Sequence, residues 1–192
     1  MQRSADWAYT QRGRVLTKVH DPTCLSLRAK VLLLLGLAVL AVGLVLLFNG
    51  SLVRLFSIPS GSMEPTLVVG DGVLVTPQAS SAIDRAEVIV FHSSLGGGEN
   101  LIKRVVAVAG DTVEVRDGAL YVNGVRQQEP YVRDAVTGGV YPSTVVQPGF
   151  LFVMGDNRND SEDSRTFGQV PTSAVLGRAS AVCWPVWHVR LL

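Results

Sequence analysis

Thr112-Val113-Glu114-Val115-Arg116-Asp117-Gly118-Ala119-Leu120-Tyr121-Val122-Asn123-Gly124-Val125-Arg126 reads as a β-meander. Short strand-like runs alternate with Asp117-Gly118 and Asn123-Gly124, dipeptides suited to the positive backbone angles of tight hairpin turns. Upstream, Leu101 to Val108 is an apolar strand interrupted by Lys103 and Arg104, whose side chains point to opposite faces and so meet different environments. Before it lie a strand over Glu87 to Phe91, a glycine-bearing loop from Ser93 to Gly98, and a strand from Val73 to Thr76. Downstream, residues 127 to 149, with Pro130, Gly138, Gly139, Pro142, Pro148 and Gly149, read as an irregular connection. Phe150 to Met154 makes another strand and runs into the polar segment Gly155 to Arg165. A last strand, about Val175 to Val182, leads to Trp184-Pro185-Val186-Trp187. With no internal repeat and no long amphipathic helix, the region is expected to be mainly β.

Ahead of this β region, Val31 to Val53 carries no charged residue. At ~1.5 Å per residue, a helix of roughly 18 to 23 residues covers about 27 to 35 Å, the thickness of a hydrocarbon core. The segment is expected to be a retained transmembrane anchor, because the apolar run exceeds the ~7 to 15 residues of a cleaved leader and no small-x-small site follows Phe48. Residues 1 to 30 carry Arg3, Arg12, Arg14, Lys18, Arg28 and Lys30 against Asp6 and Asp21, a basic flank that orients the amino terminus to the cytoplasm. The expected layout is a cytoplasmic segment (1–30), an anchor (31–53) and an extracytoplasmic β domain (54–192). That outer domain has 11 basic and 14 acidic residues, so it has no nucleic-acid footprint. Cys24 and Cys183 fall on opposite sides of the span, which argues against a disulfide between them. Cys24 is placed for acylation or is an inert thiol, and Cys183 reads as a small core residue.

Just beyond the span comes Ile58-Pro59-Ser60-Gly61-Ser62-Met63-Glu64-Pro65-Thr66. Prolines at 59 and 65 exclude a helix, and Gly61 allows a tight turn between two hydroxyls. Composition alone fits an ordinary turn as well as a nucleophile loop. A fully extended connection from Val53 lifts Ser62 at most about 30 Å from the membrane. A serine nucleophile needs a base, and His92 and His188 have no recognisable partners. Of the 11 outer basic residues, ten are arginine and one is Lys103. Arginine keeps its proton, whereas a lysine withdrawn from water gives it up readily. The residues alone leave Lys103 either as such a base or as a snorkelling strand-end cation.

Ser60-Gly61-Ser62-Met63-Glu64-Pro65-Thr66, Ile102-Lys103-Arg104, Gly110-Asp111 and Gly155-Asp156-Asn157-Arg158 through Asp163-Ser164-Arg165 resemble, in order and spacing, the motif boxes of bacterial type I signal peptidases. The resemblance runs from the anchor to about Arg178. It implies a signal-peptidase-like β domain with a small β extension at about 110–150, preceded by one transmembrane helix. It further implies a serine endopeptidase that removes signal peptides, with Ser62 as nucleophile and Lys103 as base. The Ser62 N–H and the Ser60 hydroxyl would form the oxyanion hole, and Ser161 would bond and orient Lys103. Asp163 with Arg165, and Arg104 with Asp156, would be supporting ion pairs. Phe56, Ile58, Met63, Leu67, Val73 and Ile102 match positions lining two shallow pockets for small substrate residues, with Pro59 and Leu101 beside them on the substrate-binding edges. The implied partners are preprotein signal peptides, the lipid bilayer and the export machinery, at a bacterial plasma membrane. No cofactor or metal is implied. Histidine-based relatives place their base at the box that Lys103 occupies here. Self-cleaving repressor proteases are soluble and carry a DNA-binding segment. A peptide-binding β-domain with inactive boxes is the non-enzymatic alternative.

Overall fold

The computed structural model describes residues 26–46, 53–78, 83–93, 98–137 and 140–192. Cys24 and residues 1–25 of the basic segment lie outside the described residues, as do 47–52 at the end of the expected span. Helix α1 runs over Leu27–Leu46. Ser26 starts it, its hydroxyl accepting from the Ala29 amide (3.3 Å) and its carbonyl from Lys30 N (3.0 Å). The helix thus begins earlier than the charge-free run and takes in Arg28 and Lys30. Leu, Val and Ala cover its whole circumference, and its large apolar side chains are exposed. It is long and apolar enough to cross a membrane.

The remainder, described by itself, is two antiparallel sheets. The larger contains β1 (Arg54–Ser57), β2 (Gly72–Thr76), β3 (Val88–His92), β4 (Asn100–Val108), β9 (Phe150–Met154), β10 (Val170–Pro171), β11 (Val175–Trp184) and β12 (Arg190–Leu191). Its order is β1-β2-β11-β3-β4-β9-β10, with β12 paired to β11. The smaller sheet, in the order β7-β6-β5-β8, is built from β5 (Thr112–Arg116), β6 (Ala119–Val122), β7 (Val125–Arg126) and β8 (Tyr141–Val145). Asp117, Gly118, Asn123 and Gly124 all have positive φ (51°, 71°, 53° and 75°), as their turns require.

Strand β9 shows how the sheets share a core. Phe152 and Met154 pack with Val113, Val115, Leu120 and Val122 of the smaller sheet. Leu151 and Val153 point the other way, into a cluster with Ile89, Phe91 and Val105. A third cluster joins Ile58, Met63 and Leu67 to Val73, Val75, Val88, Val90 and Val182. Asp111 ties the sheets at one corner, accepting from the Val108 amide (2.8 Å), Asn123 Nδ2 (3.0 Å) and the Arg85 guanidinium. Burial pushes its carboxyl up, but these donors outweigh burial and hold it below the usual carboxylate range.

Several elements depart from the sequence expectation. Within the stretch read as irregular, Tyr141–Val145 is a strand pairing with β5. Strands β1, β10 and β12 and the short helix α2 (Ser164–Phe167) were likewise not anticipated. Cys183, read as a small core residue, is half-buried with Sγ donating to Gly72 O at 3.3 Å, and the neighbouring Trp184 and Trp187 are exposed.

Ala86 sits at φ 71° in the turn before β3, a region costly for a side chain with Cβ. Its amide donates to Val105 O (2.8 Å) and its carbonyl accepts from Arg104 Nη1 (2.7 Å), so the turn cannot relax without losing both bonds. Ala86→Gly is expected to stabilise the protein by about 0.5–1 kcal/mol. Denaturant titration of the detergent-solubilised chain measures this, and an unchanged or lower midpoint contradicts it.

Candidate active site

The chain between β1 and β2 forms a loop closed at its base, where Ile58 N donates to Asp71 O and Gly70 N to Ile58 O, both at 2.9 Å. Met63 and Leu67 are completely buried and anchor the loop in the core. Asn157 then pins its tip, since Asn157 Nδ2 donates to Gly61 O and Asn157 N to Ser62 O, each at 3.1 Å. Ser60 Oγ and Ser62 Oγ lie 3.5 Å apart.

Opposite this tip stands Lys103 on β4, whose Nζ is 2.6 Å from Ser62 Oγ. Lys103 is 4% exposed. Burial lowers its pKa from 10.5; Asp163, Glu162 and Asp156 pull it up and Arg165 pulls it down, and the net direction is down. Arg104, next along the strand, meets a different environment, as alternation demands. It clasps Asp156 with Nε (2.8 Å) and Nη2 (2.6 Å).

The segment after β9 surrounds the pair. Asp163 caps α2 through the Arg165 amide, accepts from Gly155 N (3.1 Å) and is clasped by Arg165 through Nε and Nη2, both at 2.8 Å. Both expected ion pairs are therefore formed. The expected Ser161–Lys103 bond is not: Ser161 Oγ is buried without a hydrogen-bond partner, against Gly155.

The eight residues expected on the substrate side divide by burial. Ile58, Met63, Leu67 and Val73 are core residues, at most 3% exposed, with Phe56 and Ile102 half-buried against them. Pro59 is exposed. Leu101 packs in the cluster on the other face of β4, as expected for the neighbour of Ile102. What β4 offers at this point is main chain. Its ladder with β9 begins at Arg104↔Met154, so Asn100 to Lys103 run past the end of β9.

Neither histidine bonds to Ser62. His92 Nδ1 is 3.3 Å from Asn100 Oδ1. His188 Nδ1 lies 3.0 Å from Asp71 Oδ1, a partner the sequence did not disclose, and Arg190 donates to Thr66 O beside it. Among the described residues, no group of three His, Cys, Asp or Glu is placed to hold a metal ion. Asn157 was quoted within a motif but given no role, and Glu129 and Tyr131 belonged to no motif. All three touch the site or its supports.

The family model for signal peptidase, peptidase S26, matches residues 30–184. Signal peptidase IB of Staphylococcus aureus is 34% identical over 167 residues, covering 76% of this chain and 86% of that protein. Thylakoidal processing peptidase 1 of Arabidopsis thaliana is 38% identical over 157 residues, covering 76% of this chain and 46% of its own. The chain thus spans less than half the length of that chloroplast protein. A solved signal peptidase I from Enterococcus faecalis V583 is 32% identical, with a TM-score of 0.46 over 55% of this chain and 100% of that one.

Proposed function

Because the chain belongs to the signal peptidase family, peptidase S26, we propose that it is a membrane-anchored serine endopeptidase that removes N-terminal signal peptides from exported preproteins. The observation that carries this reading is the 2.6 Å contact between Lys103 Nζ and Ser62 Oγ, made by a lysine whose burial favours its neutral form. An extended substrate segment pairs with the open edge of β4 near Leu101 and with the chain near Ile58 and Pro59, completing the exclusion of water from Lys103. Phe56 and Ile102, backed by Ile58, Met63, Leu67 and Val73, line shallow pockets for the small substrate residues.

Lys103 takes the Ser62 proton as Oγ attacks the carbonyl carbon of the residue before the cut. The Ser62 N–H and the Ser60 hydroxyl hold the resulting oxyanion. Collapse breaks the C–N bond, Lys103 gives the proton to the leaving amine, and an acyl-enzyme remains. Water activated by the same lysine then releases the signal peptide. Ser161, whose buried hydroxyl has no other partner, orients Lys103 once the ammonium forms. Arg104–Asp156 and Asp163–Arg165 hold the frame.

The proposed layout keeps residues 1–30, with the first turn of α1, on the cytoplasmic side of a bacterial plasma membrane, the rest of α1 in the bilayer and the β domain outside, beside the export machinery. Exposed apolar side chains at Trp184, Val186, Trp187 and Leu191 support contact of the domain with lipid. The test is incubation of the purified chain with a model preprotein and sequencing of the new amino terminus. Cleavage after a small residue at the signal boundary is expected, together with labelling of Ser62 by a serine-acylating probe. An intact preprotein with Ser62 unlabelled favours a non-catalytic peptide-binding domain. Within that assay, Ser60→Ala is expected to slow turnover ~100- to 1000-fold, the loss of one oxyanion donor. An unchanged rate removes Ser60 from the oxyanion hole.

A further inference from the structure

Glu129 and Tyr131 lie in the connection between β7 and β8, part of the smaller sheet and outside every motif around Ser62. Both are wired into the site's supports. The Tyr131 ring stacks on the Arg104 guanidinium, 3.9 Å from Cζ to ring centroid. Tyr131 OH donates to Glu129 Oε1 (3.0 Å), and Glu129 in turn receives both arms of Arg158, at 2.8 and 2.6 Å. Arg158 Nε donates to Gly155 O (2.9 Å), and Arg165 Nη2 to Arg158 O (2.8 Å). Since Asp156 clasps Arg104, the chain of contacts closes on itself: Arg104, Tyr131, Glu129, Arg158, the 155–156 backbone, Asp156 and back to Arg104.

The closure has a physical requirement behind it. The side chains of Arg158 and Asp156 are 1% and 0% exposed, and those of Arg104 and Glu129 are 10% exposed each. Buried charges of this kind hold a geometry only while every partner is present, because an orphaned one draws in water or moves toward it. The ring also ends where the chemistry would occur. Arg104 follows Lys103 directly, and the 155–158 turn carries Asn157, which pins the Gly61 and Ser62 carbonyls.

We propose that Glu129 and Tyr131 are positioning residues for the Ser62/Lys103 site, holding Arg104 and the Gly155–Arg165 segment so that Lys103 stays dry. The proposal rests on the dyad reading given above. It makes the smaller sheet part of the catalytic frame rather than an appendage. Lys103 is faced by Ser62 from the nucleophile loop and by Asp156, Glu162, Asp163 and Arg165 from the segment after β9, and burial is the largest influence on its proton. A loosened segment admits water, and the ammonium form regains ground.

The experiment measures kcat and KM for preprotein cleavage across pH in the full chain and in Glu129→Gln, Tyr131→Leu, Tyr131→Phe and Lys103→Ala. Glu129→Gln and Tyr131→Leu are expected to lower kcat about tenfold near neutral pH with KM little changed. The acid limb of their rate profile moves to higher pH, so the deficit shrinks in alkali. Tyr131→Phe keeps the ring on Arg104 but loses the bond to Glu129, so it is expected to show the same pH-dependent deficit at a smaller factor, about threefold. A loss of equal factor at every pH, or a rise in KM alone, overturns the proposal, and Glu129→Gln decides it if Tyr131→Leu does not fold. Should Lys103→Ala stay active, the dyad reading falls and takes this proposal with it; with Lys103→Ala inactive, a uniform loss removes the positioning role alone.

Discussion

Lys103→Ala is expected to lower preprotein cleavage by about 10⁴- to 10⁶-fold, comparable to removing the base from other serine hydrolases. The described residues offer no substitute. Neither histidine bonds to Ser62, and the other cations around the site, Arg104, Arg158 and Arg165, hold their protons and are committed to carboxylates. The pH dependence of the parent follows from the direction of the lysine shift. With its pKa lowered from 10.5, Lys103 is ammonium at low pH, and on the proposed reading the rate there is expected to be small. It is expected to climb as the proton leaves and to level off below pH 10.5, the ordinary lysine value. A profile flat between about pH 6 and about pH 10 contradicts a lysine base.

Stability runs the same way. The unfolded chain binds this proton more tightly than the folded one, so Lys103 costs stability at low pH, and the cost fades as pH rises toward the unfolded value. Lys103→Met, which fills similar space without charge, is therefore expected to melt higher than the parent at neutral pH, with the gap closing in alkali. A variant that is inactive and also less stable across that range would show that Lys103 is held by its carboxylate neighbours more than it is penalised by burial.

Gly155→Ala carries the second large expectation. A Cβ built on Gly155 would stand 2.3 Å from Ser161 Oγ, 2.6 Å from Ser161 Cβ and 2.4 Å from the Ser62 carbonyl oxygen. The serine side chain has some freedom, but the Ser62 carbonyl is backbone and is already fixed by the Asn157 amide. One methyl group must therefore push the nucleophile off its line to Lys103. Displacement near 1 Å is expected to cost roughly 100-fold in rate, and the overpacking about 1–3 kcal/mol in stability. Gly155→Ala combined with Ser161→Gly, compared with Ser161→Gly alone, separates the two clashes. The pair relieves the serine contacts and leaves the carbonyl, so it stays well below Ser161→Gly alone if the Ser62 backbone is what moves. Activity equal to that of Ser161→Gly alone places the whole steric effect on Ser161.

The architecture was legible where local chemistry speaks alone. Asp117-Gly118 and Asn123-Gly124 announce their hairpins, and the apolar run ahead of the β region announces a helix. Ser62 and Lys103 were legible through motif order, although 41 positions separate them and strand pairing brings them together. Strand β8 escaped because Pro142 and a largely exposed pattern hide it, and both are tolerable since it is the edge of its sheet. Glu129 and Tyr131 escaped for another reason. A Glu-Pro-Tyr sequence in a connection looks like solvated loop, and its value lies in two arginines far along the chain. The residues expected to line the pockets cluster together, but their exposure was not legible, because a pocket wall and a core share the same apolar composition. Sequence cannot say that Met63 and Leu67 are sealed while Phe56 and Ile102 stay half-buried against them.

The early end of β9 leaves β4 with four residues, Asn100 to Lys103, whose outer hydrogen-bonding edge has no ladder partner among the described strands. On the proposed reading, the fourth rung of that vacancy is the catalytic lysine itself. An incoming polypeptide is then judged first by its shape and only afterwards by its spelling. Any stretch able to lie straight qualifies for the vacant berth, and one already curled into a helix or folded into a domain does not. On that reading such a filter selects for an extended segment rather than for one sequence, and passes over chain that folding has already withdrawn.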